Sequence, residues 1–343
     1  MTEETMRAAF IQKASPNAKI EIQHLPKPTV GPDQVLIECH YGSLNWGDTE
    51  ICHGVYPGQH TEVPHIPMEN FVPGAEVSGR IAALGDGVKM LEVGQVVTAI
   101  SPHITGAFAE YMLTTPNLVT PLPVKEPSAE AACFKGVGFT AYHLLFSAYE
   151  LKAGNTVLVH SISGGVGLAV TQLASEIGAT VLGTTSSAEK AALAMANGAT
   201  KVFVRGENDL VDGIMEATNG HGIDLMIDSL GGETLLDSIK GMAILGHIIN
   251  IGSTGRTGYP GSFEKFHDLL YLRCASYHAF DVFTSAPSDS ARWKAGVDYL
   301  VERFADGRFK LPVAKVFPLD QCEEMCNTMR SGSVSGKLCL AIR

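Results

Sequence analysis

A chain of 343 residues is too long for one ordinary hydrophobic core and predicts two domains. Its 45% hydrophobic and 18% charged residues are those of a globular protein, and the net charge of −11 excludes the basic face that nucleic acid or an anionic membrane demands. No apolar run approaches membrane-spanning length and Met1 to Arg7 carries no basic-then-apolar leader, which implies a cytoplasmic protein without membrane or nucleic-acid partners. From residue 6 to about 125, short β-rich runs alternate with turns: 8–11, 34–38, 77–81, 95–100 and 108–113. That pattern predicts a mostly antiparallel or barrel-like domain. Pro121, Pro123 and Pro127 then interrupt the chain, and Ser128 reads as the cap of a helix start.

Beyond that break the pattern changes to alternating strands and helices. Strands are predicted at 156–160, 180–184, 201–204, 225–228 and 246–251, with helices at 141–149, 166–177, 187–196, 209–218 and 232–240. Continuous apolar strands between helices predict a doubly wound parallel sheet of the Rossmann type, an α/β fold. A helical pattern from Ser290 to Phe304 leads into a strand–helix–strand tail at 311–316, 320–329 and 337–342, which no longer alternates in the parallel-sheet manner. The expected division is therefore 1–127 with 290–343 as the β-rich domain, and 128–289 as the parallel one.

The most informative segment is the strand ending at His160 followed by Ser163-Gly164-Gly165-Val166-Gly167 and an apolar helix. Glycines there let the backbone approach a pyrophosphate and let the helix pack closely on the strand, while first-turn N–H groups face the negative charge. Ile162 stands where the first glycine of the usual G-x-G-x-x-G would be, so the turn is a variant. About 20 residues on, an NAD site places an acid on the ribose 2′-hydroxyl. Here Thr184, Thr185, Ser186 and Ser187 precede Lys190, and Arg205 follows the third strand. Hydroxyls and cations without the acid favour NADPH; the alternative is that Lys190 and Arg205 are solvated surface charges.

The seven cysteines form no C-x-x-C pair, and most read as small buried hydrophobes, with Cys322 and Cys326 on one helix face. His53, His60 and His65 match no ligand spacing and read as loop histidines, so no metal site is expected.

Taken together, Leu44-Asn45-Trp46-Gly47-Asp48, Gly54-Val55-Tyr56-Pro57, Val72-Pro73-Gly74-Ala75-Glu76-Val77-Ser78-Gly79, Gly106-Ala107-Phe108-Ala109-Glu110-Tyr111, the Gly164 to Gly167 turn, Ile227 to Glu233 and Gly336-Lys337 resemble the medium-chain dehydrogenase/reductase superfamily, in its zinc-free quinone oxidoreductase and enoyl reductase branch. The match runs nearly end to end and implies a GroES-like β-rich catalytic domain beside the Rossmann domain. Zinc-dependent relatives carry a catalytic cysteine in the Asn45 region and Gly-His-Glu where this chain has Gly74-Ala75-Glu76. The missing ligands imply a zinc-independent enzyme, with Glu76 a structural carboxylate near the domain interface.

Without a Lewis acid, conjugated acceptors such as quinones or α,β-unsaturated carbonyls are the expected small-molecule substrates. Tyr56 resembles the proton-donating tyrosine of enoyl thioester reductases, or else lines the substrate cleft. Asn45 resembles the branch's asparagine near the nicotinamide, or else closes an Asx turn. Thr140 resembles a cofactor-contacting threonine, or else caps a helix. Gly252 and Ser253 offer backbone groups to the carboxamide, Lys337 resembles the branch's terminal lysine, and Asp228 either meets ligand or holds the next helix. The aromatic stretch Phe263 to Pro287 reads as cleft lining or a subunit edge, and the resemblance implies a homodimer. Rival readings are an enoyl thioester reductase of a lipid or specialised-metabolite pathway, and a non-catalytic nucleotide-binding structural or trafficking relative.

Overall fold

The computed structural model describes residues 4–56, 59, 66–207, 209–252, 254, 263–282 and 290–343. Two units emerge, Met1–Gly136 with Val301–Arg343, and Val137–Leu300. The chain opens with β1 (Thr5–Lys13), β2 (Glu21–Pro26), β3 (Val35–Leu44), α1 (Trp46–His53), β4 (Glu69–Phe71), β5 (Glu76–Leu84), β6 (Val96–Ile100), β7 (Tyr111–Thr114), β8 (Val119–Pro121) and the four-residue α2 (Ala129–Ala132). Ser128 caps α2, its Oγ accepting from Ala131 N at 3.1 Å. A turn at Cys133 then leads into a π-helical segment, Phe134–Phe139, which no sequence pattern announced.

The second unit carries α3 (Thr140–Phe146), β9 (Thr156–His160), α4 (Gly165–Glu176), β10 (Thr180–Thr185), α5 (Ala188–Ala196), β11 (Lys201–Val204), α6 (Leu210–Ala217), β12 (Ile223–Asp228), α7 (Gly232–Ile239), β13 (Met242–Asn250), α8 (Phe263–Arg273) and β14 (Ser276–Ala279). Then come α9 (Ser290–Ala305), β15 (Val313–Pro318), α10 (Cys322–Arg330) and β16 (Lys337–Ala341).

In the second unit the strand order is β11-β10-β9-β12-β13-β14, with parallel pairing throughout. Every residue of β9 is buried, as a strand covered on both faces requires. Leu158, Leu182, Phe203, Ile214, Met226, Leu235, Ile239 and Ile248 close that core. β13 starts four residues before the stretch read from sequence, through a bulge between Ile223 and Leu225.

The first unit holds a three-stranded sheet, β2-β1-β4, and a seven-stranded one, β15-β16-β3-β5-β6-β8 with β7 on β3. Its pairs are antiparallel apart from β15 and β16, which run parallel. Ile37, Val77, Val97, Phe108, Phe317 and Leu340 meet in its main core. Six of the cysteines are buried and Cys274 is exposed. No described helix is long and apolar enough to cross a membrane.

Candidate functional site

In the second unit, the carboxyl ends of β9, β10 and β11 gather the residues read as a dinucleotide site. Gly165 and Val166 open α4 behind Gly164, whose extended backbone (φ −78°, ψ 171°) brings no side chain to the first-turn amides. Those N–H groups and the helix dipole make a positive pole for an anion. A Cβ on Gly167 would stand 2.5 Å from the Ile162 carbonyl oxygen, so only glycine lets α4 sit this close to the turn. The Ser163 and Thr185 hydroxyls lie 3.3 Å apart and tie the turn to the end of β10.

Ser186 is exposed, and Ser187 is spent as the cap of α5, its Oγ accepting from Lys190 N at 3.4 Å. The backbone N–H of Arg205 donates to Thr185 O at 2.9 Å, fixing Arg205 beside the end of β10. Burial and the neighbouring Arg205 push the Lys190 ammonium down, with Glu189 offsetting part of the shift, and burial lowers Arg205. Two like charges thus stand within Coulombic reach of one another, beside the hydroxyls of Thr185 and Ser186.

A buried polar row crosses the same strand ends; sequence reasoning singled out its Thr184 and Asp228 but gave no role to His160 and Asn250. His160 Nδ1 and Thr184 Oγ1 are 2.8 Å apart on paired positions of β9 and β10. Burial pushes the His160 imidazole below its usual range, against the pull of Asp228. Asn250 Nδ2 donates to Asp228 Oδ2 at 2.8 Å and to Gly252 O at 2.9 Å, while Gly252 N donates to Asn250 Oδ1 at 3.3 Å. Asp228 also accepts from Leu230 N and Gly231 N, so it holds the turn before α7, the second of the roles read for it. The available signal was a polar residue ending each of four apolar strands. Ser253 lies outside the described residues. Thr140 is buried at the start of α3, but the backbone before it is already helical at Phe139 (φ −64°, ψ −42°), so the helix-cap alternative does not hold.

The first unit contains a second polar cluster. Asn45 is the N-cap of α1, in a capping box with Asp48, and its side chain also reaches across the unit: Nδ2 donates to Glu76 Oε1 at 2.9 Å, and Oδ1 accepts from Lys337 Nζ at 2.7 Å. Lys337 Nζ also donates to Leu44 O at 2.7 Å and lies 3.9 Å from Glu76 Oε1. Glu76 Oε2 accepts from the Gly136 amide at 2.6 Å. Glu76 is fully buried, and Lys337 nearly so, which fixes the orientation of the Asn45 amide at both ends. Asp48 Oδ2 accepts from Asn45 N at 2.7 Å, and burial pushes this carboxyl up to about 8. Next to Gly136, the buried Lys135 donates from Nζ to Leu118 O at 2.8 Å, and burial pushes it down to about 7. Sequence reasoning passed over Lys135 and Gly136, whose partners are far along the chain.

Tyr56 follows α1 and folds back on it. Its N–H donates to Gln59 Oε1 at 3.2 Å, and its ring packs so closely on Gly47 that a Cβ there would stand 3.0 Å from Tyr56 Cε2. Gly47 lies in the first turn of α1, two residues beyond Asn45. His53 Nδ1 lies 2.6 Å from Thr49 O; His60 and His65 lie outside the described residues.

Residues 31–124 match the family described as alcohol dehydrogenase GroES-like domain, and residues 165–300 match the zinc-binding dehydrogenase family. Over 310 residues the chain is 30% identical to the quinone oxidoreductase of Homo sapiens, covering 90% of this chain and 89% of that protein. The chain belongs to the quinone oxidoreductase branch of the medium-chain dehydrogenase/reductase superfamily, a family of oxidoreductase enzymes. A second relative is a phenolphthiocerol/phthiocerol polyketide synthase polypeptide of Mycobacterium tuberculosis, 31% identical over 90% of this chain. The chain spans 14% of the length of that relative. A mycobacterial protein solved with NADPH shares the superfamily fold with a TM-score of 0.85 at 25% identity, over 98% of this chain and 100% of that one. Although one matching family is named for zinc, no three His, Cys, Asp or Glu side chains among the described residues form a metal-holding group.

Proposed function

We propose that this member of the superfamily is an NADPH-dependent, zinc-independent reductase that delivers hydride to a quinone or an α,β-unsaturated carbonyl. The observation that carries it is the Lys190–Arg205 cation pair beside Thr185, at a strand end where residues 184–187 offer hydroxyls and no carboxylate. A 2′-phosphate can pair with both cations at once, which a bare ribose cannot do. The uncapped first turn of α4 is suited to the pyrophosphate, and the Asn250–Gly252 bonds present backbone groups at the same edge. When bound, the nicotinamide supplies the hydride.

Ala75 stands where zinc-dependent relatives have histidine, so negative charge on the acceptor oxygen must be met by protein donors. Tyr56 is the candidate donor, a phenol with an ordinary pKa of about 10 that can protonate an enolate and recover its proton from water. Asn45, with its amide fixed by Glu76 and Lys337, is a rigid positioning group, and Lys337 acts on cofactor or substrate through Asn45. The test is NADPH oxidation with a panel of quinones, enones, enals and enoyl thioesters, in the presence and absence of a chelator. Tyr56→Phe is expected to lower turnover on enones by about 10²-fold or more while leaving NADPH affinity intact. Turnover lost to the chelator would contradict the zinc-independent reading, and an unchanged Tyr56→Phe would remove Tyr56 from acid catalysis.

A further inference from the structure

Two thiols outside the proposed chemistry stand in contact beside the Asn45 cluster. Cys133, in the turn after α2, and Cys339, on β16, have Sγ atoms 3.5 Å apart although 206 residues separate them. Both are fully buried, and both sulfurs lie on the Ala129 carbonyl oxygen, at 3.3 and 3.4 Å. A disulfide needs about 2.05 Å between sulfurs, so roughly 1.5 Å of closure converts this contact into a bond. The placement gives that closure a consequence. Cys339 shares a strand face with Lys337, two residues before it, and Cys133 lies three residues before Gly136. Lys337 and the Gly136 amide hold Asn45 and Glu76 respectively.

We propose that Cys133 and Cys339 form an oxidisable dithiol that reacts with a hydroperoxide and, by drawing β16 and the Cys133 turn together, shifts the Asn45–Glu76–Lys337 cluster. Cys133 is suited to attack. Burial pushes its thiol up, but the Cys339 S–H and the Lys337 ammonium outweigh burial and hold it below the usual thiol range. Cys339, hydrogen-bonded to Cys133 and buried, is pushed up and stays a thiol. The Cys133 thiolate attacks the terminal peroxide oxygen, the O–O bond breaks, and the other oxygen leaves as hydroxide (alkoxide, for an organic hydroperoxide) and takes up a proton as water (or the alcohol). The resulting sulfenic sulfur is attacked by the Cys339 sulfur, forming S–S, breaking S–O and releasing the sulfenic oxygen as water with the Cys339 proton. Each sulfur is oxidised by one unit and each peroxide oxygen reduced by one. Because both thiols are buried, reaction requires local opening and is slow compared with an exposed thiol.

The full chain, treated with hydrogen peroxide, blocked with N-ethylmaleimide and digested without reduction, is expected to yield a Cys133–Cys339 cross-linked peptide, about 2 Da lighter than its two thiol components together and dissolved by dithiothreitol. NADPH oxidation is expected to fall at least about twofold as the cross-link accumulates and to recover on reduction, while a folded Cys133→Ser protein keeps its activity in peroxide. The activity readout rests on the reductase reading; the peptide readout does not, so a chain without turnover refutes that reading and leaves the cross-link to decide this one. Both thiols recovered as maleimide adducts, or a bond confined to Cys52, Cys322 and Cys326, overturns the dithiol. A Cys133–Cys339 bond with unchanged turnover overturns its coupling to the cluster.

Discussion

Gly136 carries no side chain because Glu76 and Asn45 occupy the space one would need: a Cβ would stand 2.6 Å from Glu76 Oε1 and 3.0 Å from Asn45 Nδ2. Gly136→Ala must push the carboxylate off the Gly136 amide and release Asn45 Nδ2, at a cost of about 1–3 kcal/mol in unfolding free energy. Urea unfolding measures this, and wild-type stability in the variant would show that the cluster absorbs the methyl. Asp48 makes a pH prediction. Its folded pKa of about 8 lies above the unfolded value of about 4, so its contribution to stability is fully present below pH 4 and is lost as pH rises through 8. Asp48→Asn keeps an oxygen for the Asn45 amide and removes this dependence. Between pH 5 and 7 the wild-type urea midpoint is expected to fall relative to that of Asp48→Asn; parallel midpoints would contradict it. At this scale the sequence made Asn45, Glu76 and Lys337 visible through motifs. It left Lys135 and Gly136 unseen, because their partners Leu118 and Glu76 are distant in sequence and no local pattern encodes a buried lysine or a close approach.

Among elements, the parallel strands were legible because burial on both faces leaves continuous apolar runs, as in Val157–Val159 and Leu225–Ile227. The π-helical segment and α1 were not, since both are short and are set by tertiary contacts: Glu76 draws in the Gly136 amide, and Tyr56 packs on Gly47. Among the described residues β14 is the last strand of the six-stranded sheet, pairing with β13 alone, and α8 leading into it exposes Tyr271 and Leu272. Ile244 and Leu245 on β13 are also exposed. An open edge flanked by large apolar side chains is suited to pairing with a second copy of this chain. Light scattering on the eluted protein is expected to give a dimer mass, and Leu245→Asp with Leu272→Asp to give monomers. A monomeric wild type at micromolar concentration would contradict the edge-pairing account.

The whole molecule is strongly acidic, at −11, yet Lys190 and Arg205 are gathered at one strand end of the parallel sheet. Like charges so close raise the cost of that neighbourhood, with Glu189 offsetting part of it at Lys190. On the proposed function, an anion such as the 2′-phosphate of NADPH is what these two cations would meet. The pair was legible as two residues near predicted strand ends, but their mutual approach was not, because it depends on the parallel register that sets Thr185 beside Val204. The most direct measurement is the dissociation constants of NADPH and NADH for the wild type and for Lys190→Ala with Arg205→Ala, by titration at fixed ionic strength. NADPH is expected to bind at least about tenfold tighter than NADH to the wild type, with the preference lost in the double variant through NADPH alone. Equal binding of the two cofactors by the wild type, or an unchanged preference in the variant, would contradict it.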